Sequence, residues 1–426
     1  MFDCESDLLD RVIDRFMGHV RGSAFSANVE RQAADRDGIA LVSVNPSASA
    51  KEDAAREGYT HARCWAILPS RRTPRWLLPL GDRRGTISGA QIYQPQARTM
   101  RMMKWLLIRG MQAGWDRWIR DRVLIAWREP LALERLLTEI TGEPNPIFAL
   151  SVGNQRATRK LTVQVMRPSG EILGYIKLPL TEAATERVHH EAETLERLSA
   201  FPSLRPHIPQ VLYAGHCNGT FILFQTSVEG EQAPNTLQKI HENFLEKLWN
   251  VHRTQKAART LVQAVADQWE RSGAERETDW KELGREVLRQ TMRDLNQVII
   301  PCGVMHGDFA PWNTRVHPGG LFLFDWESAV WEAPHLWDVF HFNVQTSCFL
   351  KTKATDSASL RTPVERGSYL LYLLSSGAQL IAEGADRTGI NYRRMLLKEI
   401  LSQQVIPMQA MSKKKGSFDA IGVTQN

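Results

Sequence analysis

The chain has 426 residues, long enough for two or three domains with cores of their own, and its 43% hydrophobic and 23% charged residues are ordinary for a soluble globular protein. A net charge of +6 suits an anionic ligand such as a nucleotide and does not call for nucleic acid as a partner. The five cysteines, at positions 4, 64, 217, 302 and 348, are scattered and form no CxxC, which argues against a disulfide framework or a zinc site and fits a reducing compartment.

The opening MFDCESDLLDR is acidic and lacks an apolar core, so no secretory signal is expected there. No run of 18 apolar residues occurs, so no transmembrane helix is expected and the location read from the sequence is cytoplasmic. Residues 1–60 are weakly patterned, with a short strand at Leu41–Val44 before the turn Asn45-Pro46-Ser47. Short apolar runs between Pro and Gly breaks over 64–93 read as strands or turns. Over 99–127 Met103, Leu107, Ile108, Met111, Trp115 and Trp118 recur at helical spacing. That helix is expected to dock its apolar stripe on the rest of the protein. The alternative is a membrane surface, because Lys104, Arg109, Arg117 and Arg120 flank the stripe. The breaker EPNP at 143–146 sets a boundary, leaving 1–145 as an N-terminal α/β module of unassigned role.

From Ile147 the period becomes that of strands: Ile147–Ser151, Leu161–Met166, a turn at Pro168-Ser169-Gly170, and Ile172–Leu178. A helix follows over Thr185–Phe201, then a strand pair at Pro209–Tyr213 and Thr220–Gln225. The small lobe is thus 146–231. Residues 232–410 read as a helical lobe interrupted by a strand-loop-strand insert from Val298 to Trp326, and 411–426 as a frayed tail. A small β-rich lobe followed by a larger helical lobe is an α+β arrangement with its ligand cleft between the lobes.

The chemistry is carried by His306-Gly307-Asp308-Phe309-Ala310-Pro311-Trp312-Asn313 and, twelve residues on, Asp325 in FLFDWE. Phosphoryl transfer needs one carboxylate at the acceptor hydroxyl, and an amide oxygen with a second carboxylate to hold the metal ions on the phosphates. Asp308 and Asn313 have the Asp-to-Asn spacing of a catalytic loop, and Asp325 ends a short apolar strand. In the small lobe, Lys177 ends its strand. Glu191 falls on the apolar stripe of the following helix, where a carboxylate needs a partner such as that lysine.

HGDFAPWN…FDWE, with HEAETLERL, resembles the aminoglycoside phosphotransferase and choline kinase family, over roughly 147–405. The resemblance implies a protein-kinase-like two-lobed fold and an ATP- and magnesium-dependent enzyme acting on a hydroxyl of a small molecule. It implies Asp308 as the catalytic base, Asn313 and Asp325 as metal ligands, and Lys177 paired to Glu191 against the phosphates. His306 and Asp338, the latter in WEAPHLWD, would support the catalytic loop. The loop VGNQRATRK holds one glycine, Gly153, and departs from a glycine-rich phosphate loop; backbone groups from Gly153 to Gln155, with Arg156, Arg159 or Lys160, are its candidates for phosphate contact. Gln225 to Val228 would meet the base of the nucleotide. The acceptor expected first is a sugar or glycan precursor. Trp312, Trp326, Trp331 and Trp337 cluster around the motif, where they suit a sugar ring or simply pack the lobe, and no dense acidic run follows. An amino alcohol or aminoglycoside is the alternative acceptor, a protein substrate is a further one, and a non-catalytic nucleotide-binding scaffold is the reading of another class.

Overall fold

The structure is a computed structural model, and it describes residues 6–18, 33–34, 40–95, 98–114, 119–153, 157–276, 278–352, 360, 362–385 and 387–402. In chain order the first part comprises α1 (Ser6–Met17), β1 (Ala33–Ala34), β2 (Ala40–Val44), α2 (Ala50–Arg56), β3 (His61–Pro69), β4 (Pro74–Leu80), α3 (Arg83–Gly89), α4 (Arg98–Gln112), β5 (Arg122–Trp127) and α5 (Ala132–Thr141). The second comprises β6 (Ile147–Val152), β7 (Lys160–Met166), β8 (Ile172–Pro179), α6 (Glu182–Ser199), β9 (Val211–Cys217), β10 (Thr220–Gln225) and β11 (Glu231–Gln232). The third comprises α7 (Lys239–Trp249), β12 (Arg253–Ala257), α8 (Ala258–Arg271), α9 (Thr278–Asp294), β13 (Ile299–Met305), β14 (Thr314–His317), β15 (Gly320–Leu323), β16 (Val330–Pro334), α10 (Trp337–Leu350), α11 (Pro363–Ala382) and α12 (Arg387–Ser402).

The strands of the first two parts make one ten-stranded sheet in the order β1-β2-β5-β3-β4-β6-β7-β8-β10-β9. The boundary read at 145/146 falls between α5 and β6, and the sheet runs across it: β4 pairs antiparallel with β6, with Trp76 opposite Ser151 and Leu77 opposite Leu150. One apolar core lies on a face of this sheet. It joins Leu9, Val12, Ile13 and Phe16 of α1 and Trp65, Val123 and Ile125 to Phe148, Leu150, Val163, Ile176 and Phe224. Alternation explains the registry, since every second residue of a strand faces the same side. The Trp65 indole N–H donates to the Phe148 carbonyl at 2.9 Å, across the same boundary.

Two expectations are corrected. The helix read over 99–127 ends at Gln112, and Arg122–Trp127 is a strand between β2 and β3. RVLIAW is buried on both faces, and such a run has no period to separate strand from helix. The stripe itself docks only in part. Leu107, Ile108 and Met111 pack on the sheet, whereas Met103 is 57% exposed. Trp115 and Trp118 lie outside the described residues, as do Asn154 to Arg156 and the tail 411–426. A helix at the start of the chain, α1, was not anticipated.

In the helical lobe α8, α9, α11 and α12 enclose a second core around Trp280, Tyr372 and Leu397. A third core lies where the lobes meet. Val188, Ala192 and Leu195 of α6 pack there with Phe309, Leu323, Trp326 and Phe342. This places α6, the 306–313 motif and the end of β15 against one another.

Candidate active site

The motif sits between β13 and β14. Gly307 has φ +83°, and a Cβ there would stand 2.1 Å from the Ser328 carbonyl oxygen, so only glycine fits. The loop is held from below by Asp338 in the first turn of α10. Its Oδ2 accepts the His306 N–H at 2.8 Å and its Oδ1 the Gly307 N–H at 3.1 Å. Burial lifts the Asp338 carboxyl to about 6, and the two N–H donors oppose that rise. His306 is fully buried. Its Nδ1 accepts the Asp308 N–H at 3.1 Å, and its Nε2 reaches the Phe324 carbonyl at 3.2 Å, so the ring proton belongs on Nε2. Burial holds this imidazole down to about 4. His306 therefore ties the motif to the strand that delivers Asp325.

Asp308 and Asn313 converge. The Asn313 Nδ2 donates to the Asp308 carboxylate at 2.8 Å and to its carbonyl at 2.9 Å. The other carboxylate oxygen of Asp308 lies 3.0 Å from His341 Nε2. His341 was not singled out from the sequence. It follows Asp338 by three residues on a helix, and that spacing, which puts both on one face, was the available signal. Tyr372 and Gln345 hold the ring, at 3.2 Å from Nδ1 and 3.0 Å from Nε2.

Asp325 follows β15 with φ +73°, a left-handed conformation uncommon outside glycine and asparagine. Its carboxylate meets two ammonium groups, Lys177 Nζ at 2.6 Å and Lys160 Nζ at 2.8 Å. Burial pushes the Asp325 carboxyl up, but the two lysines outweigh it and hold the group well below the usual carboxylate range. Lys177 also donates to both oxygens of Glu191 at 2.5 Å, and Lys160 to Glu327. Glu191 has no exposed surface, and its Oε1 further accepts the Trp326 N–H at 3.2 Å. The carboxylate oxygens of Glu191, Asp325 and Glu327 lie within 4.8 Å of one another. Arg187, one turn before Glu191, reaches the Glu327 carbonyl at 3.1 Å and Glu383 at 2.7 Å, which fastens α6 to the large lobe.

Asp308, Asn313, Asp325 and Glu327 line one cavity of about 1140 Å³. Lys177 and Glu191 stand behind Asp325, 6% and 0% exposed, and do not line it. Gly153, Gln225 and Val228 do not line it either. Gly153 approaches β7 closely, its N–H donating to the Lys160 carbonyl at 3.0 Å. Gln225 ends β10 and is buried, while Val228 lies in the following segment. For a divalent cation the donors present are hard oxygens: the Asp325, Glu191 and Glu327 carboxylates, and the Asn313 amide, whose hydrogen bonds run through Nδ2. That set fits magnesium and would not suit a metal that prefers thiolate.

Residues 173–341 match the model described as the phosphotransferase enzyme family. The match covers Lys177, Glu191 and the whole motif, and ends at His341. The resemblance read from HGDFAPWN…FDWE is thereby confirmed, and the class expected from it, a phosphotransferase with an alcohol group as acceptor, agrees with the match. No curated protein matches the chain. Similar solved structures include aminoglycoside phosphotransferase APH(4)-Ia, 16% identical over 63% of this chain and 97% of its own, with a TM-score of 0.45. A thermostable variant of that protein in a ternary complex with ADP and hygromycin B is 15% identical over 63% of this chain and 98% of its own, at 0.46. The GDP and kanamycin complex of APH(2")-IIIa is 13% identical over 64% of this chain and 98% of its own, at 0.41. Overlaps of this size are a likeness and carry no argument of their own.

Proposed function

We propose that the chain transfers the γ-phosphate of magnesium-bound ATP to a hydroxyl of a small polyhydroxylated molecule, a sugar or glycan precursor. The observation that carries this is the meeting, in one cavity, of the Asp308–Asn313 pair with an Asp325 backed by the Lys177–Glu191 ion pair.

Each residue then has a task. Asp308, fixed by Asn313 and His341, orients the acceptor hydroxyl and takes its proton as the new oxygen–phosphorus bond forms. The bond from the γ-phosphorus to ADP breaks in the same displacement, and ADP leaves. Asn313 and Asp325 would hold magnesium, which when bound neutralises charge on the phosphate oxygens. Lys177, positioned by Glu191, holds the phosphates. Lys160, the basic residue after the Gly153 loop, stands beside it and shares Asp325. Gly153 and the segment Gln225–Val228 lie outside this cavity, so phosphates and a base that meet them would extend beyond it. His306 and Asp338 hold the loop in shape.

The acceptor class rests on the charge of the cavity wall. The wall carries five carboxylates, Asp308, Asp325, Glu327, Glu332 and Glu383, and five basic side chains, Arg101, Arg187, Lys256, Lys351 and Arg393; Glu332 pairs with Lys256 at 2.8 Å, Glu383 with Arg187, and Asp325 and Glu327 share Lys160 and Lys177 with the buried Glu191. A polycationic acceptor would find little uncompensated negative charge. Neutral hydrogen-bonding side chains also line the wall: Gln268, Ser375, Ser376, Gln379 and Tyr372. Trp337 Nε1 and Gln345 Oε1, of residues on this wall, are buried without a protein partner. An amino alcohol or an aminoglycoside is the second reading.

The test is ADP release over panels of sugars, amino alcohols and aminoglycosides, with wild type and Asp308→Asn. Turnover with a sugar that falls about a thousandfold in the variant, at unchanged melting temperature, is expected. Retained turnover in Asp308→Asn contradicts the role given to Asp308, and turnover confined to aminoglycosides contradicts the acceptor class.

A further inference from the structure

Five of the twelve exposed large apolar side chains among the described residues sit on one helix, α4: Met100, Met102, Met103, Trp105 and Leu106, from 39% to 59% exposed. The opposite side of α4 is anchored, since Leu107, Ile108 and Met111 pack on the sheet. The exposed side is therefore a surface held in place by the fold. Its composition is one-sided in charge. It carries Arg101 and Arg109, and the helix RTMRMMKWLLIRGMQ has no acidic residue; Lys104 turns inward, its ammonium donating to the Tyr93 carbonyl at 2.6 Å. Arg109 lies over the Trp105 ring at 5.4 Å, so cation and aromatic ring share one patch.

We infer that α4 lies on an anionic bilayer surface, with Met102, Met103, Trp105 and Leu106 entering the headgroup boundary and Arg101 and Arg109 at the phosphates. Basic side chains mixed among apolar ones are compatible with this placement, because an arginine stem lies along apolar surface while its head stays with the phosphates. Negative charge spread over a plane meets the acid-free helix along its whole length. A protein partner would need a matching acidic groove. No helix is long and apolar enough to cross a membrane among the described residues, so the attachment is peripheral. Arg101 also lines the cavity that holds Asp308 and Asp325. Docking through α4 thus sets the cavity mouth at headgroup level, where a hydroxyl of a membrane-resident molecule is presented. That last step rests on the phosphotransferase reading; the docking does not.

The experiment reads binding without nucleotide, so it is independent of catalysis. The full chain is sedimented with vesicles containing phosphatidylglycerol and with vesicles of phosphatidylcholine alone, at low and high salt, beside a Met103→Glu/Trp105→Glu double variant. Both replaced side chains are more than half exposed, so the fold tolerates the change and its melting temperature serves as the control. The expected result is binding to the anionic vesicles about tenfold above the neutral ones, weakened by salt and reduced to the neutral level in the variant. Wild type at the neutral level, or a variant that binds like wild type, overturns the inference. So does a wild-type dimer that the substitutions convert to monomer without any vesicle binding, since the face would then belong to a second copy.

Discussion

Two buried groups that hold the 306–313 loop, Asp338 of α10 and His306, pull stability in opposite directions with pH. Asp338 titrates at about 6 in the folded chain, above its unfolded value of roughly 3.9. Its contribution is complete below about pH 4 and is lost as pH rises through about 6. His306 titrates at about 4 when folded, below its unfolded value of roughly 6.5. Its contribution is lost as pH falls through that window, because the unfolded chain takes up the proton first. Asp338→Asn removes the first slope and leaves the second. The unfolding free energy of the variant, measured in urea, should therefore fall from pH 6.5 to 4 more steeply than that of wild type, by up to about 3 kcal/mol. Parallel profiles would contradict the burial and bonding described for the loop. At this scale the sequence was informative wherever a residue type is demanded by chemistry at fixed spacing. Asp308, Asn313 and Asp325 line one cavity, and Lys177 meets Glu191. His341 is legible only through its spacing of three from Asp338 on one helix, and the sharing of Asp325 by Lys160 is not legible, because that contact joins residues 165 positions apart.

Among the elements, those with clean periodicity were legible and those without were not. Strands β6, β7, β8 and β10 and helix α6 stand within a few residues of where alternation and helical spacing placed them. Helix α1 lies in a stretch with weak overall patterning, although Leu9, Val12, Ile13 and Phe16 recur at helical spacing and all are buried. β5 was absorbed into a helix because an apolar run buried on both faces carries no period. The pairing of β4 with β6 could not be read locally at all, since it is a contact between strands separated by α3, α4, β5 and α5. It has a physical consequence. Removing residues 1–145 would bare the β6 edge and strip Leu9, Phe16, Trp65 and Val123 from the core that covers Phe148 and Leu150. A chain beginning at 146 is expected to aggregate or to lose its cooperative thermal transition, because an open apolar edge pairs with other chains. A soluble, cooperatively melting 146–410 fragment would show that the small lobe does not need the first five strands.

On the scale of the whole molecule, α6 joins the two lobes. Arg187, His190 and Glu191, within little more than one turn, bond to Glu327, Ala329 and Trp326 of the large lobe while Glu191 clamps Lys177 of the small one. The lobes are thus held in register by the residues that position Lys177, and the Asp325 carboxylate lies at their junction. Nucleotide binding should depend on that junction and on magnesium. The most direct measurement is a calorimetric titration of the full chain with ATP, with magnesium and with chelator, for wild type and Asp325→Asn. Saturable binding that requires magnesium and weakens at least about tenfold in the variant is predicted. Binding that ignores both magnesium and the substitution, or no binding at all, would contradict the assignment of this cleft as a phosphotransferase site.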